Sequence, residues 1–192
     1  SIGAYSFQDL KGLTTVNIAE NSKLESISNN LFYGSGITSI TIPDSVTQIG
    51  ANAFQNCEAL KEVNISKNSQ LQKIDNSAFF NTRILKMYLP SGVKSLGGGA
   101  FQRTPIEIYD ASDIYSSDFT IGDWCINNWY SEGAPSWANN HKDIYVNNSN
   151  ILNAILVEKK AGSVQKTCYV TNGGTVDMDK AGFEAVSREG YT

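Results

Sequence analysis

Five times along this chain an aliphatic residue is followed five positions later by a phenylalanine: Ile2 and Phe7, Ile27 and Phe32, Ile49 and Phe54, Ile74 and Phe79, Leu96 and Phe101. The aliphatic anchors step by 25, 22, 25 and 22 residues, and the phenylalanines step by the same amounts. A unit of this size holds about one strand and one helical or irregular turn and cannot bury its apolar residues alone. Stacking is therefore obligatory. Each unit must cover the next, with aliphatic columns and a phenylalanine column running through a continuous core.

The alternation of long and short units has a visible cause. After each anchor pair comes Leu13, Ile37, Leu60 or Ile84, and then an apolar, polar, apolar triplet: Val16-Asn17-Ile18, Ile40-Thr41-Ile42, Val63-Asn64-Ile65 and Met87-Tyr88-Leu89. Such a triplet predicts a short strand buried on one face. Long units continue through Asn21-Ser22-Lys23-Leu24 and Asn68-Ser69-Gln70-Leu71, whereas short units turn through Pro43-Asp44-Ser45-Val46 and Pro90-Ser91-Gly92-Val93. The extra residues fall in turns, where insertion costs little.

These offsets resemble the BspA-like leucine-rich repeats of bacterial and protist surface proteins. The family pattern stands here as Ile49-Gly50-Ala51-Asn52-Ala53-Phe54, Asn56-Cys57-Glu58-Ala59-Leu60, Ile40-Thr41-Ile42-Pro43 and Ser45-Val46. The match covers residues 1 to about 111. The resemblance implies a right-handed solenoid, mostly β with short helical turns, and a surface or secreted interaction module. Because Ile2 already occupies an anchor position, the expectation is a fragment or mature chain whose N-terminal cap or earlier units lie upstream.

Composition fits that class. Hydrophobic residues make up 41% and charged residues 18% of the chain, enough to build a core, and the many Asn and Ser suit a turn-rich repeat. A net charge of −4 without any Lys/Arg cluster argues against nucleic acid or an anionic membrane surface as partner. No apolar run approaches the roughly 20 residues that span a bilayer. Three cysteines, Cys57, Cys125 and Cys168, show no C-x-x-C spacing and give neither a disulfide framework nor a zinc site. Cys57 sits three residues after its phenylalanine, where other units carry Leu10, Ser35, Thr82 and Thr104, and is expected to be a small buried filler. A bridge between Cys125 and Cys168 stays open, since sequence does not place their Cα atoms.

Beyond residue 105 the pattern loosens. Thr104-Pro105-Ile106-Glu107-Ile108-Tyr109 fits either the usual strand after a deletion or an ungapped unit in another register. Residues 112–146 read as an enlarged last unit that returns to the sheet at Asp143-Ile144-Tyr145-Val146 and holds Trp124, Trp129, Tyr130 and Trp137. Two roles compete for these aromatics: a C-terminal cap over the open end of the core, and a carbohydrate-binding face on which sugar rings stack. Cys125, the lone His141 and Asn139 or Asn140 nominally supply a thiol nucleophile, base and orienting amide, but no protease-like motif accompanies them. Asp110, Asp113, Asp118 and Asp123 offer calcium-type oxygens without the spacing of a known loop and read as solvated turn carboxylates.

From Asn147 the anchors stop. Ile151 to Val157 reads as a short closing helix or strand and Glu158 to Ser163 as a linker, giving a solenoid over 1–150, a closing segment and linker over 151–164 and a β segment over 165–192. In the last, alternation runs into Asn172-Gly173-Gly174-Thr175-Val176, a hairpin signal. With Arg188-Glu189-Gly190-Tyr191-Thr192 this tail resembles the start of an internalin-type B-repeat, which again implies a cell-surface protein.

The expected role is an extracellular binding or adhesion module, without enzymatic activity, cofactor or metal, whose partner is a host or matrix protein or a surface glycan. Strand side chains alternate faces, so Asn17, Thr41, Asn64 and Tyr88 are expected in one outward row as the binding surface. The competing explanation is a solvated face in which Asn side chains support the stacked strands. Trp124, Trp129, Tyr130 and Trp137 form the alternative binding surface.

Overall fold

A computed structural model of the chain describes residues 2–106, 108–111, 113–114, 118–122, 125, 142–146, 166–170 and 183–185. The chain is a parallel β-solenoid. One five-stranded sheet is built from the anchors themselves: β1 (Ser26–Ile27), β3 (Gln48–Ile49), β5 (Lys73–Ile74), β7 (Ser95–Leu96) and β9 (Thr120–Ile121), in that order. The apolar triplets supply the opposite side, in two pieces. β2 (Ser39–Thr41) pairs with β4 (Glu62–Asn64), and β6 (Lys86–Tyr88), β8 (Ile108–Ala111), β10 (Lys142–Val146), β11 (Lys166–Val170) and β12 (Phe183–Ala185) follow one another in a second five-stranded sheet. Every pairing among the described residues is parallel.

Each of the units anchored at Ile27, Ile49, Ile74 and Leu96 thus has two short strands where the sequence suggested one. The anchor strands are only two residues long, one polar residue outward and one aliphatic residue inward, which is too short for an alternation to register in a single unit. Their existence depends on register between units: Ile27 faces Ile49, Ile49 faces Ile74, and Ile74 faces Leu96.

No helix occurs among the described residues, so the expected helical turns are absent. The backbone shows why. In each unit the third residue after the anchor has positive φ (Tyr5, Asn30, Asn52, Ser77, Gly99), and so has the second residue after the phenylalanine (Asp9, Gly34, Asn56, Asn81, Arg103). A left-handed residue every fourth position cannot propagate a right-handed helix. Asn and Gly carry six of these ten positions because they adopt this conformation at the lowest cost. The backbone groups are satisfied across units instead: the amides of Asn52, Phe54 and Asn56 donate to the carbonyls of Asn76, Ala78 and Phe80 at 2.8–2.9 Å, and the same ladder repeats from unit to unit.

The core is the pair of columns foreseen from the repeat. Phe7, Phe32, Phe54, Phe79 and Phe101 stack in sequence with centroids 5.1–5.4 Å apart and rings within 12° of parallel. Behind them the third position is filled by Ser35, Cys57, Thr82 and Thr104, all buried. Each has a polar partner: the Thr82 hydroxyl donates to the Phe79 carbonyl at 3.1 Å, and the Cys57 thiol donates to the Phe32 carbonyl at 3.0 Å. Burial pushes the Cys57 thiol pKa up, against smaller opposing effects from Ser35 and Lys11.

The open question after Phe101 resolves as an ungapped unit. Ile106 is buried in the column of Leu60 and Ile84, and Tyr109 and Asp110 register against Met87 and Tyr88. A sixth anchor also exists, Ile121, paired with Leu96 and 25 residues after it. Cys125 then takes the small buried position of Ala78 and Ala100, its carbonyl accepting from Phe101 N–H at 2.7 Å as Ala100 does from Phe79. No phenylalanine marks this unit, since isoleucine, Ile126, stands five residues after the anchor. The chain does rejoin the sheet near Ile144, since β10 pairs with β8, and β11 extends the same sheet. The Gly173-Gly174 turn, Ile151–Val157 and the Arg188–Thr192 motif lie outside the described residues.

Candidate binding groove

The outward row is built by strand register. Thr41 lies directly opposite Asn64, and the bridge between Thr15 and Ser39 brings Asn17 into line with Thr41. Tyr88 faces Asp110, which in turn faces Tyr145. Thr41, Asn64 and Asn17 are exposed and Tyr88 is half-buried.

Between β4 and β6 the row is interrupted. The coils meet before the strands, where the Arg83 amide donates to the Leu60 carbonyl at 2.8 Å, but β4 and β6 belong to different sheets. A groove of about 560 Å³ takes in this seam and runs over four successive units, from Ile18 and Glu20 through Thr41 to Asp44, then Val63 to Ser66 and Asn68, to Lys86 and Tyr88. Three of the four residues expected in the row, Thr41, Asn64 and Tyr88, therefore line one cavity. Asn17 does not line it.

The floor of the groove follows from the alternation of unit lengths. In short units the proline turn closes over the third triplet residue, so Ile42 and Leu89 are almost fully buried. In long units the chain leaves through a wider loop, and Ile18 and Ile65 remain half-exposed, as does Val63. The rim is polar and held in place. Asp44 accepts a hydrogen bond from the Ser66 hydroxyl at 2.6 Å, the Ser66 hydroxyl accepts from the Asn68 amide at 3.0 Å, and the Gln70 amide donates to the Asp44 carbonyl at 2.9 Å. These contacts tie the long loop to the short turn beside it.

Tyr88 forms the far wall, and its hydroxyl donates to Asp113 Oδ2 at 2.6 Å. The same carboxylate oxygen lies 3.9 Å from Lys67 Nζ. Burial, the hydrogen bond to Asp113 and the charges of Asp113 and Asp110 all push the phenol pKa well above its ordinary value. The ring is thereby anchored at its outer end. Nothing in the local sequence marks Asp113 as this partner, since it lies 25 residues away; Lys86, Asp44, Asn68 and Glu20 were likewise not foreseen as lining residues.

The alternative aromatic surface, Trp124, Trp129, Tyr130 and Trp137, falls outside the described residues, as do His141, Asn139, Asn140 and Asp123. Asp113 is engaged with Tyr88, and no group of three or more potential metal ligands occurs among the described residues. Likewise no helix there is long and apolar enough to cross a membrane.

Residues 1–107 match the BspA type leucine rich repeat region in six copies, more than half of the 192-residue chain. The chain belongs to the BspA-type leucine-rich repeat family. Among solved structures, this BspA-type chain is similar to a leucine-rich repeat protein from Bacteroides capillosus (32% identity, TM-score 0.34, 38% of this chain and 52% of that one). It is also similar to the pneumococcal vaccine antigen PcpA (22% identity, TM-score 0.45, 68% and 38%) and to a leucine-rich repeat protein from T. pallidum (16% identity, TM-score 0.48, 65% and 55%). The chain spans between 38% and 55% of the length of these structures. No curated protein matches it at a significant level. Repeats of this family suggest a surface or binding role, and leucine-rich repeat proteins are generally binding modules without catalysis.

Proposed function

We propose that this BspA-type chain is a non-enzymatic binding or adhesion module displayed outside the cell, and that it holds a partner on a host or matrix surface through the outward side of its triplet strands. The observation that carries this reading is the convergence of Thr41, Asn64 and Tyr88, from three successive units, on one groove. A face that served only as a solvated surface requires no concavity, whereas a groove with an apolar floor and a tethered polar rim has the make-up of a recognition site. Its volume is within the roughly 300–1,000 Å³ of small-ligand and anchor-residue pockets.

The test compares two surfaces. Wild-type, Tyr88→Ala and Trp129→Ala chains are passed over immobilised laminin and collagen by surface plasmon resonance. Loss of binding in Tyr88→Ala with retention in Trp129→Ala supports the groove. The opposite pattern removes it in favour of the tryptophan-rich segment.

A further inference from the structure

The groove's chemistry points to one class of occupant, and we propose that it takes a short stretch of a neutral glycan. This inference rests on the reading of the groove as the binding site and specifies what fills it.

A sugar ring has two kinds of surface: a rim of hydroxyls that both donate and accept, and apolar C–H faces. The groove offers a counterpart to each. Thr41 and Asn64 lie on neighbouring strands about 4.8 Å apart, close to the width of one sugar ring, and present a hydroxyl and an amide in register. The amide supplies two donors and an acceptor, and the hydroxyl one donor and two lone pairs. Asp44, fixed by Ser66, adds carboxylate acceptors, which suit sugar hydroxyl donors. Against the C–H faces stand half-exposed Val63 and Ile65 and the ring of Tyr88. Because the Tyr88 hydroxyl is held by Asp113 at 2.6 Å, little side-chain freedom remains to be lost when a ligand stacks on it.

Charge narrows the class further. The groove carries two carboxylates, Glu20 and Asp44, against one ammonium, Lys86; beyond Tyr88 stand Asp110 and Asp113, with Lys67 3.9 Å from Asp113, so carboxylates outnumber ammonium groups four to two, and the chain's net charge is −4. A sulfated or carboxylated glycan would bring like charges together at cost. A neutral one meets no such barrier.

Isothermal titration of the full chain with maltotetraose, cellotetraose, mannotetraose, chitotetraose and a heparin tetrasaccharide tests this. At least one neutral tetrasaccharide is expected to saturate the protein, more tightly than heparin does. Tyr88→Ala is expected to weaken it about tenfold, the loss of one stacking contact, whereas Tyr88→Phe keeps the ring and stays within about threefold. Asn64→Ala, at an exposed position, is a second probe that does not disturb the core. The proposal is overturned if no neutral tetrasaccharide binds up to about 10 mM, if heparin binds better, or if both Tyr88→Ala and Asn64→Ala bind like wild type. Enzymatic deglycosylation of the laminin surface separates this proposal from the reading beneath it. Tyr88-dependent binding that survives glycan removal refutes the glycan and leaves the groove standing. Binding that ignores Tyr88 on both surfaces removes the groove as well.

Discussion

Truncating Phe54 to alanine removes the middle ring of the phenylalanine stack, and the structure sets the size of the effect. Phe54 has 0% exposure and parallel rings on both sides, Phe32 at 5.4 Å and Phe79 at 5.1 Å. A fully buried Phe→Ala change costs about 3–5 kcal/mol, a large share of the roughly 5–15 kcal/mol that holds a domain folded. Phe7 gives an internal calibration, because it is half-buried and touches a single ring of the column, Phe32, at 5.4 Å. Its truncation loses part of the transfer free energy and one ring contact, about 1–2 kcal/mol. Position in the stack matters too: each unit of a solenoid is stabilised by its neighbours, so a hole at Phe54 weakens the interfaces to the units of both Phe32 and Phe79. Urea unfolding followed by far-UV circular dichroism measures both variants against wild type at a shared m-value. A Phe54→Ala loss below about 1 kcal/mol, or a Phe7→Ala loss equal to it, would refute the column argument.

Other consequences can be checked in the same way. Gly97→Ala places a Cβ 2.4 Å from the Asn76 backbone nitrogen and 2.5 Å from the Asp75 carbonyl carbon, so it should destabilise by about 1–3 kcal/mol as overpacking against a backbone that cannot yield; a melting temperature equal to wild type contradicts the close approach. The Tyr88 phenol ionises less readily in the folded chain than its unfolded value of about 10, so its stabilising effect is complete below that pH and is lost as pH rises toward its raised folded value. Tyr88→Phe should therefore flatten the decline in stability above about pH 10, read as denaturant midpoint against pH, and an unchanged alkaline slope counts against the Asp113 tether. The Cys57 thiol, buried beside Ser35, should react with an aromatic disulfide reagent only as fast as the chain opens; labelling at the rate of a model thiol in native buffer places it on the surface instead.

The repeat in the sequence carried the fold a long way. Ile49 with Phe54 and Ile74 with Phe79 announce which side chains must be covered, and a unit of 22 to 25 residues can cover them only by stacking on its neighbours. The phenylalanine column, the small filler at Cys57 and the outward row through Thr41 and Asn64 are all legible in that repeat. Features set between units are not legible there. The two-residue anchor strands exist only as partners of one another, the left-handed turn residues replace the expected helix, and the unit at Ile121 carries no phenylalanine mark because Ile126 stands in its place.

The groove marks the same boundary. Alternation along one strand determines that Asn64 and Tyr88 point outward, and the primary structure contains that much. Whether neighbouring strands stay paired, as β2 and β4 do, or part, as β4 and β6 do, is decided by how whole coils settle on each other. So is the bond from Tyr88 to Asp113, whose partners lie 25 residues apart and on neighbouring turns. Local periodicity encodes which residues are buried because burial is a property of each residue and its near neighbours. A concavity and its tethered wall are set by contacts between turns, and these come into being only when the solenoid has stacked.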